Sequence, residues 1–155
     1  MSSTFTNLLY HVVFSTKYRR NLIKPALKDE LSRYIGGIIR ENHGAQLEIG
    51  GTSEHLHILA RFNAATAVSD MLRLVKANSS KWANERSDTD GRFGWQTGYA
   101  AFSVSQSQVP IVRQYLRQQP EHHRKKPFRE EFIELLKKHN VDFDPRYVFE
   151  EAHVQ

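Results

Sequence analysis

The sequence predicts an α+β domain, an antiparallel sheet with helices packed on it, and three observations predict it. Phe5 to Thr16 and Glu54 to Phe62 alternate apolar and polar residues and are rich in β-branched and aromatic side chains, as half-buried strands are. The stretches after Pro25 and Thr66 instead repeat their apolar residues at spacings of three and four, the signature of amphipathic helices. The elements then follow the order strand, helix, strand, strand, helix, strand, which is the split βαβ arrangement.

Each element has its own justification. In the first helix Leu27, Leu31, Ile35, Ile38 and Ile39 form one stripe, and Gly44 supplies a C-terminal stop. Gln46 to Gly50 is a second strand, and Gly50, Gly51, Thr52 and Ser53 turn the chain into the third, so these two strands form a hairpin. Thr66 can cap the second helix, with Val68, Met71, Leu72, Val75 and Trp82 inward and Lys76, Lys81 and Arg86 left for solvent or ligand. Asn84 to Gly94 reads as an exposed loop and Tyr99 to Ser105 as the fourth strand. Ser107 can cap a third helix, with Pro110 in its first turn and Pro120 at its end. A basic linker, His122 to Lys126, leads to a last amphipathic helix carrying Phe132, Leu135 and Leu136. The whole is the ferredoxin-like (RRM-like) plan, with two helices on one face of the sheet and the other face free for function.

The 155 residues, 39% of them apolar, suffice for one core and not for two ordinary domains, so one domain over 1–155 is expected, a core of 1–106 followed by an extension of 107–155. No run approaches the roughly 20 apolar residues of a membrane helix, and the basic residues of the N-terminal segment follow its apolar run rather than precede it. A soluble, unprocessed, cytoplasmic protein is expected, with no membrane partner. The absence of cysteine excludes disulfides, thiolate metal sites and a cysteine nucleophile. A net charge of +5 and a pI near 9.6 favour a polyanionic partner.

Alternation along the third strand places Leu56, Ile58, Ala60 and Phe62 on one side and His55, His57, Leu59 and Arg61 on the other. Two imidazoles two residues apart can hold one divalent metal, or can be an exposed or hydrogen-bonded pair with no ligand. In the third helix Tyr115 and Gln119, four apart, share a face, and two readings are again open. Either a half-buried tyrosine lies beside a solvated amide, or the amide of Gln119 completes a metal site and the phenol stands ready to attack a phosphate. Arg113 and Arg117 flank the tyrosine and are candidates for a DNA backbone, as are Lys76, Lys81, Arg124, Lys125 and Lys126, although charged surfaces are usually only solvated. Trp95 and Tyr99 stack on bases or join the core, and His122 and His123 are expected to be exposed or structural.

His55-Leu56-His57 on a central strand, followed by Tyr-Leu-Arg-Gln-Gln at 115–119, resembles the single-tyrosine HUH transposases of small insertion sequences that move as single-stranded DNA, including the REP-associated tyrosine transposases. Tyr10 to Lys17, Phe93 to Tyr99, the His122-His123 pair and Asp142 to Tyr147 extend the likeness over nearly the whole chain, and Glu54 stands where an aspartate is common. The resemblance implies a tyrosine-bearing helix on the sheet face opposite the other helices. It implies Mg²⁺ or Mn²⁺ held by His55, His57 and Gln119, with Tyr115 as nucleophile through a 5′-phosphotyrosine. It also implies single-stranded DNA with hairpins at element ends as partner, association with the nucleoid when DNA is bound, and a homodimer in which Tyr115 and Gln119 serve the histidines of the other subunit. The alternative is a domesticated relative that binds DNA hairpins without cleaving them. A two-histidine phosphoesterase is disfavoured, because neither of the His-x-Ser/Thr motifs it needs is present.

Overall fold

A computed structural model describes residues 3–86 and 91–149. The strands are β1 (Leu8–Ser15), β2 (Ala45–Gly51), β3 (His55–Phe62) and β4 (Ala100–Val104). The helices are α1 (Pro25–Glu41), α2 (Val68–Asn84), α3 (Val109–Arg117), α4 (Gln119–His122) and α5 (Phe128–Lys138). The sheet runs β2-β3-β1-β4 and every pairing is antiparallel. This is the expected fold class, with α1 and α2 on one face of the sheet and α3 to α5 over the other.

Strand register sorts the side chains between the faces. Val12 pairs with Ile58 and Phe14 with Leu56, and these four bury against Leu27, Leu31 and Ile35 of α1 and Met71, Leu72 and Val75 of α2. Burial of a side chain of this size is worth about 1.5–3 kcal/mol, so this layer supplies most of the hydrophobic drive. Both tryptophans belong to it. Trp82 stacks on Tyr34 at 4.9 Å, while Trp95 meets Phe14 edge-on at 4.9 Å and donates from Nε1 to Ser79 Oγ at 2.9 Å. Trp95 and the half-buried Tyr99 are thus tied to the core rather than to an open sheet face.

On the other face, Leu9 and Leu59 pack with Val109 and Leu116 of α3, and Val13, Ala100 and Phe102 pack with Phe128, Phe132, Leu135 and Leu136 of α5. The tyrosine-bearing helix covers that face, as the resemblance implied, and α5 extends the cover over the part that strand alternation alone left free.

Several element ends differ from expectation. β1 starts at Leu8, leaving Phe5 exposed. The left-handed residue that ends α1 is His43 (φ 64°). Gly44 follows it because a Cβ there would lie 2.6 Å from the Arg61 carbonyl oxygen, so close packing and not backbone handedness requires the glycine. α2 begins at Val68 with no side-chain cap, so Thr66 does not cap it. Ser107 lies in a 3-10 turn, Gln106–Gln108, that precedes α3 and is no cap either. The loop expected over 84–94 contains residues 87–90, which lie outside the described residues, and at its base Asn84 and Phe93 exchange hydrogen bonds of 2.9 and 2.7 Å.

Candidate active site

The covered face of the sheet holds a group of polar residues with almost no access to solvent. His55 and His57 extend from β3 toward α3 to α5, as the alternation predicts, and both are fully buried. β1 adds His11, whose Nε2 lies 2.7 Å from His57 Nδ1. Thr52 Oγ1, from the hairpin turn, lies 3.0 Å from His55 Nδ1. Each β3 imidazole is therefore held at Nδ1, and each Nε2 faces the same space under α3 to α5.

Tyr115 and Gln119 converge there although their helix is interrupted. α3 ends at Arg117, and Pro120 opens the short α4 instead of closing a longer helix. Gln119 is fully buried, its Oε1 3.0 Å from His55 Nε2, and the Tyr115 ring lies edge-on to His57 with centroids 5.7 Å apart. All of this occurs within one chain, the arrangement that the resemblance implied between subunits.

The backbone approach behind this placement is extreme at Gly50 of β2, where an added Cβ would lie 2.0 Å from the Leu116 carbonyl oxygen. Only glycine lets α3 sit this close and bring residue 115 over the strand.

The sequence singled out neither His11 nor Glu131 for this group, and did not assign His123 to it. Glu131, on α5, sits at the centre of the group. Its Oε1 lies 3.0 Å from both His57 Nε2 and His123 Nε2, and its Oε2 accepts from the Tyr115 hydroxyl and, at 3.0 Å, from Gln119 Nε2. His122 Nε2 is 3.4 Å from Oε2. His123 is thus part of the group rather than an exposed or purely structural residue, and its Nδ1 donates to the Lys126 carbonyl at 2.7 Å. Among the described residues, His55, His57, His123 and Glu131 offer donor atoms all within 4.8 Å of one another, a set able to hold a metal ion.

Burial fixes the charge states. It lowers the pKa of His55 to about 3 and lowers those of His57 and His11, so all three rings are neutral near pH 7. Burial would raise Glu131, but hydrogen bonds from His123 and His57 outweigh it and hold the carboxylate ionised. The Tyr115 phenol is pushed well above its usual range by burial and then by its bond to Glu131.

A consequence for the metal-free protein follows from linkage. Unfolded histidines take up protons below about pH 6.5, whereas the buried rings resist until much lower pH, so the unfolded chain binds more protons in that window and stability falls with pH. Each such ring contributes a slope of up to about 1.4 kcal/mol per pH unit, and Glu131 adds to the loss below its ordinary pKa. His123, which burial would lower but which Glu131 and the Lys126 carbonyl together raise, acts oppositely, and its contribution is lost only as pH rises above 6.5. In EDTA, melting temperatures should drop steadily between pH 6.5 and 4, and His11→Asn should flatten the profile. A level profile would mean that these rings are not neutral in the fold.

The candidate DNA contacts are scattered. Arg117 Nε is 3.0 Å and Arg113 3.8 Å from Glu48 Oε1, on the exposed side of α3. Arg124 and Lys125 are exposed beside α4, and Lys126 pairs with Glu134 at 2.5 Å. Lys81 and Lys76 lie on α2, across the sheet from Tyr115, and Lys76 Nζ donates to the Gln96 and Gly98 carbonyls at 2.6 Å each. Among the described residues no helix is long and apolar enough to cross a membrane.

Fold and site together define a ferredoxin-like α+β protein with a buried histidine-carboxylate group beside a tyrosine. A profile of the family described as "Transposase IS200 like" matches residues 4–119, and the chain belongs to that family. It is similar to the transposase for insertion sequence element IS200 of Salmonella typhimurium, 27% identical over 130 residues covering 78% of this chain and 82% of that protein, and equally to that of Salmonella typhi. Among solved structures, a Deinococcus radiodurans protein assigned as a transposase superposes with a TM-score of 0.59 at 19% identity, over 77% of this chain and 95% of the other. A REP-associated tyrosine transposase bound to a REP hairpin gives a TM-score of 0.59 at 15% identity, over 79% and 74%. These two likenesses establish the fold. The chain is a transposase of the IS200 family by its sequence match.

Proposed function

We propose that this transposase cuts and rejoins single-stranded DNA at insertion-sequence ends through a covalent 5′-phosphotyrosine at Tyr115, assisted by a divalent metal at His55, His57 and Gln119. The observation that carries the reading is the convergence of phenol, two neutral imidazoles and amide in one buried space. The donor set suits the ion. Two imidazoles are kept unprotonated by burial and oriented at Nδ1 by Thr52 and His11, the arrangement common for metal-bound histidines. Nitrogen and oxygen donors without sulfur fit Mn²⁺ or Mg²⁺, and the imidazoles favour Mn²⁺ of the two. When bound, the ion supplies Lewis-acid polarisation of the scissile phosphate.

The chain's own residues account for the rest. Tyr115 Oη attacks phosphorus, the bond from phosphorus to the 3′-oxygen breaks, and the product is a 5′-phosphotyrosine with a free 3′-hydroxyl. The phenol donates to Glu131 Oε2, which takes the proton as the oxygen bonds to phosphorus and can return it to the departing 3′-oxygen. Protonated by Glu131 as it leaves, the tyrosyl oxygen departs as a neutral phenol, so a second 3′-hydroxyl can displace it and conserve the bond without ATP. Arg113 and Arg117 lie on the helix that carries the tyrosine and are the leading phosphate contacts, with Arg124, Lys125 and Lys126 next and Lys76 and Lys81 least favoured by position. Hairpin DNA as partner is supported by the REP hairpin in the structural neighbour. The chain would act where the chromosome lies, in the cytoplasm and on the nucleoid.

Labelled single-stranded DNA from the element's ends, incubated with protein and Mn²⁺, should yield a denaturation-resistant adduct that EDTA suppresses. A homodimer with shared sites makes a distinct prediction from the single-chain site. Mixing Tyr115→Phe with His57→Ala protein should leave adduct formation absent if each chain uses its own tyrosine. Recovery of adduct in the mixture would establish exchange of α3 between subunits.

A further inference from the structure

We propose that Glu131 is itself a metal ligand, so that metal binding clamps α5 onto the sheet. The inference rests on the metal-assisted reading above and extends it to a residue beyond the segment that matches the family profile, which ends at 119. Position carries the argument: Glu131 Oε1 lies 3.0 Å from His57 Nε2, 3.0 Å from His123 Nε2 and 3.9 Å from His55 Nε2, one oxygen among three imidazole nitrogens.

The α5 sequence points the same way. Phe128, Phe132, Leu135 and Leu136 form its inward stripe and pack in one apolar cluster, and Glu131 occupies the same stripe with 1% of its surface exposed. A carboxylate buried in such a stripe is costly unless it is paired or coordinates a cation. His123 adds a third imidazole to the set. Its Nδ1 donates to the Lys126 carbonyl, so a neutral ring would present a bare Nε2 lone pair to Glu131 Oε1 at 3.0 Å. That contact needs a positive charge, as a second proton on the ring or as a cation bound by both groups.

Gln119 keeps its place beside His55 and gains a second role under this arrangement. Its Oε1 faces His55 and its Nε2 donates to Glu131 Oε2, so the amide holds the carboxylate with Oε1 toward the imidazoles and Oε2 toward Tyr115. Glu131 provides a full negative charge where the amide provides only a dipole, and hard divalent ions prefer the carboxylate.

Two measurements test the assignment without reading activity. Metal-free protein titrated with Mn²⁺, followed by loss of the free-ion EPR signal, should bind at least about tenfold more weakly as Glu131→Gln, and also as His57→Ala. If His57→Ala weakens binding and Glu131→Gln does not, the carboxylate is only an internal counter-ion and the proposal fails while the two-histidine site stands. If neither variant changes binding, the metal reading itself fails. Hydrogen exchange on the unmodified protein decides the case should Glu131→Gln not fold. Mn²⁺ should slow the amides of α5 together with those of β3, and protection confined to β3, α3 and α4 would overturn the proposal.

Discussion

Tyr115→Phe should give a folded protein that binds DNA and forms no covalent adduct. The substitution removes one oxygen and keeps the ring that packs against His57, His11 and His122. Glu131 Oε2 loses a donor but keeps Gln119 Nε2, so the stability cost should stay within about 1–3 kcal/mol, the range for one buried hydrogen bond. On the proposed mechanism adduct formation loses its bonding atom, and the expected result is none detectable on a denaturing gel while a mobility shift with the same DNA persists. Tyr115 is the tyrosine whose ring meets the histidine group. Tyr10 and Tyr34 pack against the core on the α1/α2 side, and Tyr147 lies on the surface beyond α5. An adduct that survives Tyr115→Phe would therefore relocate the reaction, and peptide mapping would show where.

The second large effect is expected from a residue with no functional group. Gly50→Ala would put a methyl carbon 2.0 Å from the Leu116 carbonyl oxygen, a contact that can be relieved only by moving the backbone of α3 or of β2. Overpacking of this kind costs about 1–3 kcal/mol. The larger consequence concerns α3, which carries Tyr115 one residue before the contact. A shift of about 1 Å at a reacting group can cost on the order of a hundredfold in rate. We expect Gly50→Ala to melt several degrees lower and to lose adduct formation by that factor or more, with Mn²⁺ binding less affected because His55 and His57 stand on β3. A variant with wild-type rates would show that α3 has freedom the present packing does not reveal.

How far these features could be read from the sequence depends on the range of the interactions that make them. The faces of β3 were legible because alternation is local: Leu56, Ile58, Ala60 and Phe62 join the α1/α2 core, and His55 and His57 face away from it. The i to i+4 relation of Tyr115 and Gln119 predicted a shared face, and the two do meet Glu131 together, even though the helix breaks between Arg117 and Gln119. His11 was not legible, since its place beside His57 follows from the pairing of β1 with β3. His123 enters only because α4 returns the chain over the sheet. Glu131 did leave a trace, as a charge at the second position of the stripe Phe128, Glu131, Phe132, Leu135, Leu136. An acid on the inward side of an amphipathic helix is a reason to look for its counterpart elsewhere in the chain.

The distribution of indoles has a practical meaning for work in solution. Trp82 and Trp95 both sit in the layer formed with α1 and α2, so native indole emission reports first on that half of the molecule. Loss of that layer would register directly in intrinsic fluorescence, whereas α3 carries no indole of its own. An added fluorophore at Ile111, a solvent-facing position on α3, would give the other half its own signal and let the two halves be followed separately in one denaturation experiment.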